Sequence, residues 1–371
     1  GRVSASRART LRTLEPDSTA SRERVRQAGR ELVSFASNDY LGLAASPLLR
    51  EADAQASQAY GVGSGASRLV SGTTTLHAEL ERKLAEFAGA ESCLLYTTGY
   101  QANLGVVGAL AHEGVTVVSD ALNHASIIDG CRLARANVHV FAPKDYPAAS
   151  RLLREAGTGL KLLVSDTLFS MDGDLADVTA LETLAREHGA LLMLDEAHAF
   201  GCLGTRGAGL SPQTARSGIV TGTLSKAAGS LGGFALCSAD MREHLLNASR
   251  SFMFSTAADL PSVAAASAAL DFFASREGAA ARERLAANAT RLRDGLTRLG
   301  LETGGESHVV PLWIGKDGDA LALSAKLEER GYLVPTIRPP AVPVGRAMLR
   351  FSLSAEHTVD QIDGVLGMFG E

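Results

Sequence analysis

Short apolar runs alternate with longer amphipathic stretches through the middle of this chain. Ser92–Tyr96, Val115–Ser119, Val138–Phe141, Leu160–Ser165, Leu191–Leu194, Ile219–Thr221 and Phe234–Cys237 read as strands. Between them, Thr74–Phe87, Tyr100–Ala111, Ser126–Ala134, Pro147–Glu155 and Val178–His188 read as helices, and Asp177 stands where the last needs an N-cap. This alternation predicts an α/β fold with a large, mostly parallel, seven-stranded sheet flanked by helices. From about Asp259 the texture changes. An Ala-rich helix follows Pro261 and a charged helix spans roughly Ala279–Leu299. Strands near Val309–Ile314, Tyr332–Val334 and Met348–Ser352 then alternate with helices at Asp319–Glu329 and Val359–Met368. The expected division is an N-terminal segment over 1–45, a large domain over 46–257 and a smaller α+β C-terminal domain over 258–371.

Composition narrows the function classes. The 371 residues carry a net charge of −5, which leaves no global positive field for nucleic acid or an anionic membrane. No apolar run approaches the roughly 18 residues of a membrane span. The four cysteines, Cys93, Cys131, Cys202 and Cys237, form no C-x-x-C pair. They read as buried thiols in a cytoplasmic protein rather than as metal ligands. The start, Gly1–Arg7, is rich in Arg and Ser, as transit peptides are. Leu11 and Leu14 before Pro16 instead predict a short helix that ends at the proline.

Candidate chemistry collects where ligands bind in open parallel sheets, beyond the carboxyl ends of the strands. Asn123 and His124 follow the second run, Ser170 the fourth, Asp195 the fifth, and Thr223 and Lys226 the sixth. A carboxylate directly after Leu191–Leu194 is costly to bury without a cationic partner, and a pyridinium N–H is such a partner. His198 follows three residues later. The four letters Asp195-Glu196-Ala197-His198 also occur in nucleotide hydrolases of the DEAH type. Those need a G-x-x-x-x-G-K-[ST] loop, and this chain has none. Lys226 lies between an apolar strand and a glycine-rich stretch. Desolvation there favours the neutral amine that forms a Schiff base. Thr97–Asn103 joins a strand to a helix and makes an anion site from backbone N–H groups. Gly61–Ala66 mimics a dinucleotide fingerprint but follows a helical run, Leu48–Tyr60, which argues against that use. His112, His139, His188, His244 and Trp313 read as packing or surface residues.

With these residues assembled, the chain resembles the α-oxoamine synthases, fold-type I aminotransferase-like enzymes that use pyridoxal 5'-phosphate. The likeness runs from Ser37–Leu43 through Gly65–Thr73, Phe169–Asp174, Asp195–His198 and Thr223–Lys226 to Leu349–Ser352. It implies decarboxylative condensation of an amino acid with an acyl thioester, by a homodimer whose active sites lie at the subunit interface. The nearest member of the family joins L-alanine to a pimeloyl thioester, on coenzyme A or a carrier protein, in biotin synthesis. Siblings make 5-aminolevulinate, 2-amino-3-oxobutyrate or a sphingoid base. Ser67 stands where the glycine-specific 5-aminolevulinate enzyme has threonine, and leaves room for alanine's methyl.

The resemblance also implies roles. Lys226 carries the cofactor and moves the α-proton, Asp195 pairs with the ring nitrogen, and His124 stacks on the ring and meets the substrate. His198 and Ser170 contact the ring edge. Thr98, Gly99, Tyr100 and Thr223 hold the phosphate, with Thr256 reaching it across the dimer interface. Arg350 binds the amino-acid carboxylate, and Arg12 and Ala341 occupy substrate-contacting positions. Ala199-Phe200 and Ser225 depart from the family pattern, in ways that could reshape the site.

Overall fold

The computed structural model describes residues 11–16 and 22–370. Gly1–Arg7, the Arg- and Ser-rich start, lies outside the described residues. Three short strands come first: β1 (Glu15–Pro16), β2 (Arg24–Gln27) and β3 (Arg30–Ser34). Ala28 and Gly29 turn the β2–β3 hairpin, both at positive φ (50° and 79°). Two successive positive φ values match the right-handed twist of the flanking strands. Leu11–Leu14 are not helical, contrary to the sequence expectation. Pro16 instead pairs with Val25 in β1, at the sheet edge, where its missing N–H breaks no ladder.

The sheet-bearing unit comprises Pro47–Phe169 and Ala176–Gly278. It opens with α1 (Pro47–Tyr60) and α2 (Thr75–Ala88). The βα alternation then follows as β4 (Ser92–Tyr96), α3 (Gly99–Leu110), β5 (Thr116–Asp120), α4 (Ala125–Ala134), β6 (Asn137–Phe141), α5 (Tyr146–Glu155), β7 (Lys161–Asp166), α6 (Val178–His188) and β8 (Leu191–Asp195). After a short helix, α7 (Thr214–Ser217), come β9 (Ile219–Thr223), β10 (Gly233–Cys237), α8 (Ala239–Ala248), α9 (Arg250–Met253) and α10 (Leu260–Ala274). The seven strands lie in the order β4-β10-β9-β8-β7-β5-β6. Only β10 runs against its neighbours.

Away from the exposed edge strand β6, both faces of this sheet are buried, and side chains alternate between two cores. Leu162 and Val164 of β7 join Met193 and Ile219 in one, while Leu163 joins Leu192, Leu194 and Phe169 in the other. That is why the strands are legible as unbroken apolar runs. Helix starts are capped by their own sequence: Asp177 accepts the Ala180 N–H at 2.9 Å, and Asp145 that of Ala148 at 2.9 Å. Pro261 lies in the first turn of α10, where the missing N–H has no intrahelical partner anyway. α10 packs along α1 and against α2, so residues 258–278 fold with the sheet.

The second unit comprises the chain up to Ser46, Ser170–Leu175 and the residues from Ala279 onward. It contains most of α11 (Arg276–Arg298), then β11 (Val309–Gly315), α12 (Asp317–Glu329), β12 (Tyr332–Leu333), β13 (Thr336–Ile337), β14 (Ala347–Ser352) and α13 (Val359–Gly367). β14 is the centre of a three-stranded antiparallel sheet, and β12 adds in parallel to β3. Gly173, at φ +72°, belongs to this unit; a Cβ there would lie 2.0 Å from the Val309 carbonyl oxygen, so only glycine fits.

Candidate active site

In the sheet-bearing unit, the carboxyl ends of the parallel strands border a cavity of about 180 Å³. Lys226, Asp195, His198, His124, Thr98, Gly99, Tyr100 and Thr223 all line it, so eight of the residues expected from the sequence share one enclosure. Asn103, Asp166, Leu168, Ala197 and Ser225 complete the wall.

β8 ends in Asp195, whose Oδ1 accepts the Ala197 N–H at 2.8 Å and whose Oδ2 accepts Asn103 Nδ2–H at 2.6 Å. The residue is only 4% exposed. The turn after β8 brings His198 round, and its Nε2 lies 2.7 Å from Lys226 Nζ. Lys226 itself follows β9, whose last residue is Thr223. The hydroxyl of Thr223 donates to the Gly232 carbonyl at 3.0 Å and accepts the Ser225 N–H at 3.2 Å, which closes the loop that presents the lysine.

His124 is the N-cap of α4: its Nδ1 accepts the Ser126 N–H at 3.3 Å and lies 2.7 Å from Ser126 Oγ. Burial lowers the histidine's pKa; the positive charge of Lys226 acts in the same sense and Asp195 opposes both. The imidazole is therefore neutral near pH 7. Asp166 ends β7 directly beside Asp195 in register. Burial, and then the Asp195 charge, push its carboxyl well above the usual range.

The anion end of the cavity is the start of α3. Thr98 caps the helix by accepting the Gln101 N–H at 3.2 Å. Gly99 is forced by close approach, since a Cβ there would come within 2.9 Å of Thr223 Cβ. Tyr100 donates its hydroxyl to Asp129 at 2.5 Å, and that bond raises the phenol's pKa.

These groups fit the pyridoxal phosphate implied by the sequence. Asp195 is a buried carboxylate that takes hydrogen bonds from uncharged N–H groups and retains lone pairs for a cationic N–H. The first turn of α3, with its Cβ-free Gly99 against Thr223, suits a phosphate dianion. Lys226 supplies an amine between the two ends.

Other expected residues sit elsewhere. The Thr256 carbonyl accepts Thr97 Oγ1–H at 3.0 Å, and Thr256 forms an isolated bridge with Ser67; neither lines the cavity. Arg350, Ser170, Arg12 and Ala341 belong to the other unit. There, the buried Arg350 donates from Nε to the Ser170 carbonyl at 2.5 Å and from Nη1 to Ser352 Oγ at 2.5 Å. Arg12 pairs with Glu328 at 2.5 Å, and Ala341 is exposed on the turn in which its N–H meets the Arg338 carbonyl at 3.1 Å.

Of the two departures, Ala199-Phe200 faces away from the chemistry. Phe200 packs on Phe234 at 4.7 Å between ring centroids and on Phe87 and Phe273. Ser225 does line the cavity. Glu196 is consumed by structure: it accepts from the Leu210 N–H, Ser211 Oγ and Thr167 Oγ1.

Sequence reasoning passed over Asp166 and Asn103. Asp166 is the residue immediately after the predicted run Leu160–Ser165, so the strand-end rule would have reached it. Asn103 sits one helical turn beyond Gly99, on the face of α3 that lines the cavity.

The aminotransferase class I and II family model matches residues 30–369. The chain is 46% identical over 360 residues to the 8-amino-7-oxononanoate synthase of Geobacter sulfurreducens, covering 96% of this chain and 91% of that one. It is 50% identical over 340 residues to the 8-amino-7-oxononanoate synthase of Burkholderia thailandensis, covering 89% and 86%. Among solved structures, a serine palmitoyltransferase variant from S. paucimobilis with a bound PLP–myriocin aldimine superposes with a TM-score of 0.91 at 32% identity, covering 96% of this chain and 91% of that one. The 8-amino-7-oxononanoate synthase of Francisella tularensis superposes with a TM-score of 0.78 at 26% identity, covering 91% and 96%.

Proposed function

The chain belongs to the aminotransferase class I and II family, and on that premise we propose that it makes 8-amino-7-oxononanoate from L-alanine and a pimeloyl thioester. The reaction releases CO2 and the free thiol, and serves biotin biosynthesis. The cofactor is pyridoxal 5'-phosphate. When bound, it supplies an aldehyde carbon for an amine and a protonated ring that accepts the electron pair left by a departing proton.

The observation that carries the reading is the enclosure of Lys226, His198, Asp195 and His124 around one cavity at the strand ends. Lys226 Nζ would hold the cofactor through its aldehyde carbon and would serve as the base for the α-proton of alanine. His198, 2.7 Å away, is placed to take the ammonium proton of Lys226. Asp195 holds the ring nitrogen in its protonated form, and neutral His124 covers one ring face. Thr98, Gly99, Tyr100 and Thr223 receive the phosphate. We assign Thr256 to the phosphate of the second subunit in a homodimer, Ser170 to the ring edge, and Arg12 and Ala341 to the acyl substrate. Arg350, with its planar two-pronged guanidinium, takes the amino-acid carboxylate. No described helix is long and apolar enough to cross a membrane, and a cytoplasmic enzyme is the form we propose.

A second reading has one observation behind it: the backbone superposes better on serine palmitoyltransferase than on the Francisella synthase. Substrate choice depends on side chains more than on backbone path. The 44–50% identity to 8-amino-7-oxononanoate synthases outweighs the 32% to that palmitoyltransferase. The deciding experiment measures free-thiol release with pimeloyl-, acetyl-, succinyl- and palmitoyl-coenzyme A, each against L-alanine, glycine and L-serine. Alanine with pimeloyl-coenzyme A should lead the panel, and borohydride should fix the cofactor on Lys226. Serine with palmitoyl-coenzyme A in the lead would move the chain to the second reading. Colourless protein with magnesium-dependent ATP hydrolysis would end both.

A further inference from the structure

Behind the cavity wall a chain of hydrogen bonds joins two groups whose roles are otherwise separate. Asn103 is 2% exposed, Thr221 1% and Ser126 0%, so none of their polar atoms can rely on solvent. Asn103 Nδ2 donates to Asp195 Oδ2 at 2.6 Å and to Ser126 Oγ at 2.9 Å. Its Oδ1 accepts Thr221 Oγ1–H at 2.7 Å. Ser126 Oγ is 2.7 Å from His124 Nδ1.

The direction of every proton is set by the ends of this chain. A carboxylate only accepts, so the amide nitrogen of Asn103 must face Asp195 and its oxygen must face Thr221. The second amide hydrogen then goes to Ser126 Oγ, which is left to give its own hydrogen to His124 Nδ1. The Ser126 backbone N–H points at the same nitrogen from 3.3 Å. His124 Nδ1 is thereby an acceptor twice over, and the ring's single proton is held on Nε2.

We propose that Asn103 is a positioning residue that locks Asp195 and His124 into one hydrogen-bonded unit through Ser126. The unit fixes the carboxylate's orientation and the imidazole's tautomer together. The inference rests on the proposed function only in what the two groups grip; the coupling itself belongs to the protein alone. It comes from three places far apart in sequence: α3, the start of α4 and the adjacent strands β8 and β9. Asn103, Ser126 and Thr221 are all buried. Loss of Asn103 should therefore leave Ser126, Thr221 and Asp195 each short of a partner.

The test uses Asn103→Leu, close to asparagine in volume and without hydrogen-bonding atoms, in holoenzyme and in protein freed of cofactor. In cofactor-free wild type, the ring-nitrogen chemical shifts of His124 should report one tautomer, with the proton on Nε2. In Asn103→Leu they should report a mixture. In the holoenzyme, the pH midpoint of the visible absorbance should move by about one unit, a tenfold change in the protonation balance. Thermal unfolding shows whether the variant is folded. Ser126→Ala cuts only the His124 arm and should free the tautomer while leaving the absorbance midpoint in place. Unchanged nitrogen shifts and midpoint in folded Asn103→Leu overturn the proposal. If that variant does not fold, a single unaltered tautomer in Ser126→Ala overturns it instead. A wild type with no visible absorbance would defeat the functional reading, while the cofactor-free tautomer measurement would still judge the coupling.

Discussion

Asp166 and Asp195 stand opposite one another at the ends of the adjacent parallel strands β7 and β8, one carboxyl per strand in direct register. Their surroundings drive them apart chemically. Asp195 receives N–H donors from Ala197 and Asn103, at 2.8 and 2.6 Å. Asp166 is buried beside that negative charge with one long contact, from the His124 N–H at 3.4 Å, and burial and the neighbouring charge push its carboxyl well above the usual range. Two carboxyls so placed sit in unlike surroundings, one met by two N–H donors and the other by a single long contact.

That asymmetry predicts opposite responses to the same change. Asp166→Asn removes a carboxyl whose charged form burial already disfavours, and should keep activity within about threefold of wild type. If Asp195 sustains the ring's proton as proposed, Asp195→Asn should lower kcat by about a hundredfold or more. Steady-state thiol release on both variants checks this. Equal losses would overturn the asymmetry.

The Lys226–His198 contact makes a second prediction. Two nitrogens 2.7 Å apart cannot both carry a positive charge at low cost, so His198 Nε2 is placed to accept the Lys226 ammonium proton. In His198→Gln the amine must shed its proton to water. Cofactor capture at pH 7 should slow by about a hundredfold, and the deficit should shrink as pH rises. Stopped-flow absorbance on cofactor-free protein reads this rate. A deficit that does not change with pH would assign His198 a purely steric part.

Gly99 allows the phosphate turn to lie against β9. In Gly99→Ala the new Cβ would sit 2.9 Å from Thr223 Cβ, closer than such atoms approach. The turn must shift away from the strand. Cofactor affinity should fall by tenfold or more, about 1.4 kcal/mol, with the secondary structure intact. Equilibrium titration with pyridoxal phosphate provides the measurement.

Away from the cavity, acid stability is set by two opposed groups in the second unit. His357 is stacked on Phe35 at 4.3 Å, accepts the Ser354 N–H at 2.9 Å and donates to the Ser34 carbonyl at 3.1 Å. Burial lowers its pKa from 6.5 to about 4. The unfolded chain therefore binds a proton that the folded one refuses between these values. Its contribution falls as pH drops from 6.5 to 4, by about 3 kcal/mol. Asp39, raised by burial from 3.8 to about 6, acts the other way: the folded state takes up the proton first, and stability rises as pH falls through the same window. Urea unfolding of wild type, His357→Gln and Asp39→Asn from pH 4 to 7 separates them. Removing the histidine should make the protein relatively more stable in acid, and removing the aspartate relatively less.

The seven central strands were legible within two residues at each end because a strand buried on both faces is written as a continuous apolar run. Helix starts at Asp177 and Pro261 were legible because capping is a local bargain between neighbours. The two-residue strands β1 and β13 were not, because so short a segment becomes a strand only when a partner lies beside it. The expected helix over Leu11–Leu14 failed for the same reason: β1 pairs with a strand from beyond Pro16, which no local pattern announces.

The site divides along the same line. Its chemically sharp members, Lys226, Asp195, His198 and His124, were identifiable from residue type and from position at a strand end. Asn103 and Asp166 were not singled out, because what they do depends on which strand lies next to which. The sequence by itself determined the fold class and the strand-end edge at which Lys226, Asp195, His198 and His124 gather. Only the tertiary structure decided which of those groups touch. Burial and periodicity are local properties of a chain, whereas a hydrogen bond between residues 92 positions apart exists only once the strand order has brought them together.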